Sequence, residues 1–190
     1  MSPTEPVEQI VAPLLKKLSL WHRKLDPLIV AMDGYPGAGK STLANFLESE
    51  GVTVIRQDEY LLPLKQRLKL IGESRNPGHS IMFDFHEDRR LMDDVSQLKS
   101  GIVVVEGVFL LEPKRYSGLW DKRVYVAADW GATDARRVRR EKERWGAKYM
   151  PESHPKSLFA IVVKTYRAWA EATHPEQTAD LVIGPIDKQP

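Results

Sequence analysis

Five short apolar runs recur along the chain, separated by stretches of helical or polar character. The runs are LIVAMD (28–33), VTVIRQD (52–58), IVVVE (102–106), RVYVAAD (123–129) and ADLVI (179–183). Short apolar runs are typical of buried parallel strands, and their alternation with helices is typical of layered α/β proteins. The pattern therefore predicts a doubly wound, five-stranded parallel sheet whose ligands lie at the carboxyl ends of the strands.

Helical spacing of apolar residues is found near both ends of the chain. Residues 4–21 place apolar side chains on one face, although Pro13 is expected to kink or interrupt this helix. A second amphipathic helix begins at Leu158, whereas residues 61–82 form the longest stretch predicted to be irregular. No repeat or linker divides the sequence, so we expect one domain over 190 residues, with a helical extension at 1–25.

The composition of the chain excludes several classes of binding partner and site. The chain has 28 basic and 26 acidic residues, a net charge of +2, so no nucleic acid partner is expected. The absence of cysteine excludes disulfides and thiolate metal sites. No run approaches the roughly 20 apolar residues of a membrane span, and no signal-peptide layout is present, so we expect a cytoplasmic protein without a membrane partner. The oligomeric state stays open.

The first apolar run leads into GYPGAGKST, which satisfies the phosphate-loop pattern G-x-x-x-x-G-K-S/T. Glycines let backbone N–H groups wrap a phosphate, and a helix predicted from about Lys40 to Glu50 directs its positive end at the anion. We expect Lys40 to reach the β and γ phosphates of a nucleotide and Ser41 to bind Mg²⁺. The predicted nucleotide contacts are Gly34, Gly37, Ala38, Gly39, Lys40, Ser41 and Thr42. The alternative is a glycine-rich turn without a ligand.

Acidic residues end several of the predicted strands. Asp58 would project into the crevice beside the phosphate loop and serve as a base, or it is a turn cap. Glu106 is a candidate Mg²⁺ contact or a structural carboxylate. Asp33 precedes the first glycine of the loop, and we expect it to brace the loop rather than to catalyse.

An arginine-rich helix is predicted at residues 132–148, after the fourth strand. Its basic residues are Arg136, Arg137, Arg139, Arg140, Lys142, Arg144 and Lys148. A solvated basic face is one explanation. Arginine also stabilises the charge on a transferring phosphoryl group, so residues 132–150 are a candidate lid, with Arg140 as a catalytic residue.

The motifs in this order resemble those of the uridine kinase family of P-loop kinases over nearly the whole chain. They are GYPGAGKST, RQDEY, NPGHSIMFDF, VVVEGVFLL, VYVAADWGATDARRVRRE and ADLVI. The resemblance implies an ATP-dependent kinase that acts on a hydroxyl group, with Asp58 as the base and Glu106 helping to hold Mg²⁺. Lid arginines that contact phosphates and substrate would be Arg137 and Arg140.

The sequence also departs from that family where a nucleoside would be recognised. No β-hairpin fits between DDVSQLKSG and IVVVEG, and Gly78 replaces an aspartate expected to bind sugar hydroxyls. The expected tyrosine three positions after the base is Leu61, with Tyr60 one place early. Likewise, a later lid arginine matches Trp145, with Arg144 one place early.

We therefore expect the acceptor to be a nucleoside, sugar or similar small metabolite, bound by Asp58, Tyr60, His79 and Arg137. Uridine itself is expected to be a poor substrate. For His79, a structural role is equally open. The alternative function is an NTP-binding regulatory ATPase or switch protein without such an acceptor.

Overall fold

The computed structural model describes residues 7–73, 84–151, 154 and 157–184. Strands and helices alternate through most of this part of the chain. The strands are β1 (Leu28–Gly34), β2 (Thr53–Arg56), β3 (Ile102–Glu106), β4 (Lys122–Val126) and β5 (Leu181–Ile183). The helices are α1 (Val7–His22), α2 (Lys40–Ser49), α3 (Leu64–Glu73), α4 (Asp88–Gln97), α5 (Trp130–Trp145), α6 (Leu158–Thr173) and α7 (Pro175–Thr178), with 3₁₀ turns at Gln57–Tyr60 and Gly146–Lys148.

The five strands form one parallel sheet in the order β2-β3-β1-β4-β5, as the sequence predicts. The connection that follows β1 leads to β2 at one edge of the sheet, whereas the connection that follows β3 leads past β1 to β4 in the other half of the sheet. The crevice between the carboxyl ends of β1 and β3 is therefore the topological switch point, where ligands of open α/β sheets bind.

The core is centred on β1, because the central strand of a parallel sheet covered on both faces is buried. Every residue of β1 is buried. Leu14 and Leu18 of α1 are buried as well, as are Tyr166 and Trp169 of α6, whose rings lie 5.1 Å apart edge to face. Burial of each large side chain contributes about 1.5–3 kcal/mol to folding.

Two elements differ from the sequence-based prediction. The helix α1 runs without interruption through Pro13, which lies on its exposed side, so the expectation that Pro13 interrupts this helix is wrong. Residues 61–82 are also not wholly irregular, because α3 begins at Leu64, just after Pro63. The carbonyl of Pro63 accepts hydrogen bonds from the amides of Gln66 and Arg67, which starts the helix.

Two further features of the sheet region bear on the site. Strands β2 and β4 are shorter than predicted, so that Asp58 lies in a 3₁₀ turn and Asp129 caps α5 by accepting a hydrogen bond from the Ala132 amide. Only residues 98–101 separate α4 from β3, which leaves no room for a hairpin there, as predicted. No helix in the described ranges is long and apolar enough to cross a membrane.

Candidate active site

A cavity of about 500 Å³ opens at the carboxyl ends of β1, β2 and β3. It brings together residues from the phosphate loop, the 3₁₀ turn after β2, the end of β3 and the helix α5. The predicted site residues that line it are Gly37, Gly39, Lys40, Ser41, Thr42, Asp58, Glu106, Arg137 and Arg140. The cavity thus holds the candidate phosphate-binding residues, the candidate base and the candidate lid arginines.

The phosphate loop depends on its glycines for two reasons. Gly37 and Gly39 have φ angles of 92° and 93°, a conformation that side-chain-bearing residues rarely adopt. A Cβ atom at Gly34 would lie 2.5 Å from the Val126 carbonyl oxygen, so only glycine fits between β1 and β4. Gly34 and Ala38 do not line the cavity, and the Ala38 amide donates to the Tyr35 carbonyl at 2.8 Å.

Lys40 begins α2 and is buried beneath the loop. Its ammonium group donates to the carbonyl oxygens of Gly34 at 2.7 Å and Tyr35 at 3.2 Å. Burial lowers the pKa of Lys40, and the nearby carboxylates of Asp33 and Glu106 oppose that shift. The lysine is therefore a fixed positive charge at the amino end of a helix, where an anion is favoured.

Asp33 braces the loop, as the sequence suggests. Its carboxylate accepts hydrogen bonds from the amides of Gly34 at 2.6 Å and Leu111 at 3.0 Å, and from the Tyr166 hydroxyl at 3.1 Å. Burial raises the pKa of Asp33, while these donors and Lys40 lower it. The carboxylate is thus fully engaged in holding β1 against its neighbours.

The two predicted metal contacts lie against each other. The Ser41 hydroxyl donates to Glu106 Oε1 at 3.2 Å. Burial raises the pKa of Glu106, which the positive charge of Lys40 partly offsets. A hydroxyl and a carboxylate are hard oxygen ligands of the kind Mg²⁺ takes beside substrate phosphates and water, so the donor set fits this ion.

Gly107, which follows Glu106, leaves space for the side chain of Gln57. Gln57 is fully buried, its Oε1 accepts from the Val108 amide at 2.8 Å, and its Nε2 donates to the Tyr116 hydroxyl at 3.2 Å. A Cβ atom at Gly107 would lie 2.3 Å from this Oε1 and 2.7 Å from the Gln57 Cβ. Gly107 therefore lets the end of β3 pack against the turn that carries the candidate base.

We expect Gly107→Ala to destabilise the protein by about 1–3 kcal/mol, because the added methyl group overpacks a buried, hydrogen-bonded side chain. Urea unfolding measures the change. Gly72→Ala is the matched control: it lies in α3 with no atom within 4 Å of the added Cβ, and it should stabilise the helix by up to about 1 kcal/mol. Equal stability of the two variants would contradict the packing role of Gly107.

The helix α5 is tied to the phosphate loop through Tyr35. The Tyr35 hydroxyl donates to Asp134 at 2.8 Å and accepts from Arg167 Nε at 3.1 Å, while its ring stacks on Trp130 at 5.5 Å. Arg167 also forms an ion pair with Asp134. These contacts hold the amino-terminal part of α5 against the loop. No sequence pattern predicts this role for Tyr35 or Arg167.

The two arginines inferred from the resemblance line the cavity from α5. Arg137 is half-buried, and burial lowers its pKa to about 10, whereas Arg140 is exposed. Arg136 and Glu141 of the same helix line the cavity as well. Both predicted arginines therefore lie on the cavity side of the helix, beside the phosphate loop.

Among the residues predicted to contact an acceptor, Asp58 and Arg137 line the cavity. Tyr60 is buried and donates to Asp94 at 2.8 Å, with its ring against Arg90. It is not among the residues that line the cavity, so its role as an acceptor contact stays a prediction. Side chains three apart eclipse one another in a 3₁₀ turn, so Leu61 lies on the Asp58 side and lines the cavity instead. His79 and Gly78 lie outside the described residues.

Three cavity residues on that side were not predicted as site residues from the sequence: Arg67 of α3, Phe85 and His86. Leu64, Leu68 and Ile71 have helical spacing, which was a usable signal for α3 and hence for Arg67. His86 directly follows the FDF motif, which was the only signal for it.

Uridine kinases are among the known proteins that resemble this chain in sequence. A uridine kinase of Clostridium perfringens is 28% identical over 184 residues, covering 83% of this chain and 86% of that one. The chain is thus similar to uridine kinases over most of its length. No family model matches it.

Two solved structures superpose on this chain over most of its length. A protein described as a possible uridine kinase from Bacillus stearothermophilus superposes with a TM-score of 0.62 at 19% identity, covering 93% of this chain and 98% of that chain. A provisionally assigned fructose transport system kinase from Silicibacter sp. TM1040 gives 0.60 at 19% identity, with 91% and 98% covered. The chain therefore shares the α/β fold of these two proteins.

Proposed function

We propose that the protein is an ATP-dependent kinase that transfers the γ-phosphoryl group to a hydroxyl of a small molecule. The observation that carries the proposal is the shared cavity, in which Asp58 lies with Lys40 and the arginines of α5. The uridine kinase relatives support a phosphotransferase that acts on a hydroxyl group and uses ATP as the donor.

Each residue has a distinct role in this reaction. Lys40 and the α2 amino terminus bind the β and γ phosphates, with Gly37, Gly39 and Thr42 lining the loop. Ser41 and Glu106 would hold Mg²⁺, which supplies charge neutralisation when bound. Asp58 orients the acceptor hydroxyl and takes its proton as the hydroxyl oxygen bonds to the γ phosphorus and ADP leaves.

We further propose that residues 132–150 act as the lid of a single domain. Arg137 and Arg140 would then stabilise the charge that develops on the equatorial oxygens of the transferring group. The tie between Tyr35 and Asp134 supports this role, because it anchors one end of α5 at the loop.

We expect Arg140→Ala to lower kcat by about 10- to 100-fold while the Kd for ATP changes much less, since lid charge is fully engaged only as the site closes. Steady-state kinetics and calorimetric titration separate the two effects. Arg144→Ala is the matched control, because Arg144 lies on the same helix against the Trp145 ring and outside the cavity. If ATP affinity falls while kcat holds, Arg140 is a binding residue only.

The alternative is a regulatory ATPase or switch that has no small-molecule acceptor. A panel of nucleosides, sugars and hydroxy acids, each tested for acceptor-dependent ADP release, distinguishes the two. A kinase hydrolyses ATP slowly alone and releases ADP rapidly with its acceptor, and uridine is expected to be a poor acceptor. A rate that no acceptor changes favours the switch.

A further inference from the structure

One wall of the cavity is built by a short backbone ladder on the side of Asp58. The amide of Leu62 donates to the Phe85 carbonyl at 2.8 Å, and the amide of Glu87 donates to the Tyr60 carbonyl at 2.8 Å. Between them Leu61 and His86 form an antiparallel bridge. The 3₁₀ turn that carries Asp58 is therefore fixed to residues 85–87, and we call this unit, with the start of α3, the acceptor wall.

Arg67 projects from the start of α3 and lines the cavity with Asp58. Its Nε donates to the Leu62 carbonyl at 2.9 Å, which anchors the half-buried side chain to the ladder. No carboxylate forms an ion pair with Arg67 in the described part of the chain. The acceptor wall thus holds a guanidinium that the protein itself does not neutralise there.

The other cavity-lining side chains of the acceptor wall, apart from Asp58, carry no negative charge. Leu61 and Phe85 are apolar, and His86 is buried. Apart from Asp58, the cavity-lining residues of the acceptor wall offer no carboxylate or amide for the vicinal hydroxyls and base of a nucleoside. The whole cavity is lined by five cationic and three acidic side chains, among those the structure describes.

We propose that the acceptor carries an anionic group, a carboxylate or a phosphate, which Arg67 binds while Asp58 receives the proton of the reacting hydroxyl. This inference rests on the proposed kinase function and names the class of its substrate. A guanidinium binds either anion through two parallel hydrogen bonds, so the two anions share one chemistry at this position. Arg137 and Arg140 line the same cavity from α5, on the side of the phosphate loop, so Arg67 is the cavity-lining arginine that belongs to the acceptor wall.

The test compares anionic acceptors with their neutral analogues. ADP release and product formation are measured with glycerol, glycerate and glycerol 3-phosphate, and with ribose and ribose 5-phosphate. We expect an anionic member of a series to exceed its neutral member in kcat/KM by roughly 10- to 100-fold, the range for hydrogen bonds to a charged group. Glycerate against glycerol 3-phosphate distinguishes carboxylate from phosphate.

Arg67→Gln should then raise the KM for the anionic acceptor by a similar factor and remove the preference over the neutral one. Arg67→Lys should restore part of it, because the charge returns without the planar pair of donors. Lys65→Gln is the matched control, an exposed lysine on the same helix outside the cavity, and it should behave as wild type.

The outcomes that contradict the anionic acceptor differ from those that also contradict the kinase function. If a neutral acceptor is preferred, or if Arg67→Gln keeps the wild-type preference, the anionic acceptor is wrong while the kinase assignment stands. If no acceptor in either series accelerates ADP release, the anionic acceptor and the proposed kinase function both fail.

Discussion

Replacing Lys40 with alanine should abolish measurable turnover and weaken ATP binding. The ammonium group is buried, is anchored by the carbonyls of Gly34 and Tyr35, and lies at the amino terminus of α2. A preorganised charge at this position acts on the phosphates in the ground state and more strongly in the transition state. Loss of one such group costs roughly 10²–10³-fold in kcat, and more where the group also binds the ground state.

Two additional variants make the Lys40 result interpretable. Lys40→Met keeps most of the side-chain volume and should be equally inactive, so cavity formation cannot explain the loss. Lys16→Ala removes an exposed lysine of α1 and should retain full activity. Near-normal turnover in Lys40→Ala would contradict the phosphate-loop assignment.

Replacing Asp58 with asparagine should separate phosphoryl transfer from nucleotide binding. The side chain keeps its shape but can no longer take a proton, and loss of a general base lowers rates by about 10²–10⁴-fold. The phosphate contacts come from other elements, so ATP affinity should stay within about twofold, near the level of ordinary surface substitutions. Initial rates of acceptor phosphorylation and calorimetric ATP binding are the two measurements.

Glu59→Gln is the matched control for Asp58→Asn. Glu59 is exposed in the same 3₁₀ turn and does not line the cavity, so it changes the net charge equally without touching the site. A drop in phosphorylation that is equal in both variants would indicate a general electrostatic effect. An Asp58→Asn enzyme with wild-type phosphorylation would remove the base from the mechanism.

The sheet and the phosphate loop could be predicted from the sequence because their signals are local. A strand that is buried on both faces is mostly apolar, and the loop carries glycine where φ is positive. The positions of β1 and Gly37 can therefore be recognised in the sequence. The ends of β2 and β4 were less certain, because polar residues continue past each strand into a turn or a cap.

The acceptor side could be predicted only in part, because its geometry depends on contacts between distant segments. The 3₁₀ turn after β2 turns Tyr60 toward Asp94 and brings Leu61 to the cavity, which a linear count from Asp58 does not show. In α3, Leu64 and Leu68 are 52% and 42% exposed, so the apolar pattern there does not reflect a buried face. His86 reaches the cavity through its bridge to Leu61.

The most direct test of the proposed function follows the γ-phosphoryl group itself. ATP labelled at the γ phosphorus is incubated with the protein, Mg²⁺ and each acceptor of the two charge series, and the label is traced at early times. The proposed kinase function predicts that label appears in a phosphate ester of the acceptor in amounts equal to the ADP formed, and that Asp58→Asn suppresses both. Label found only in inorganic phosphate, at a rate that no acceptor changes, would contradict it.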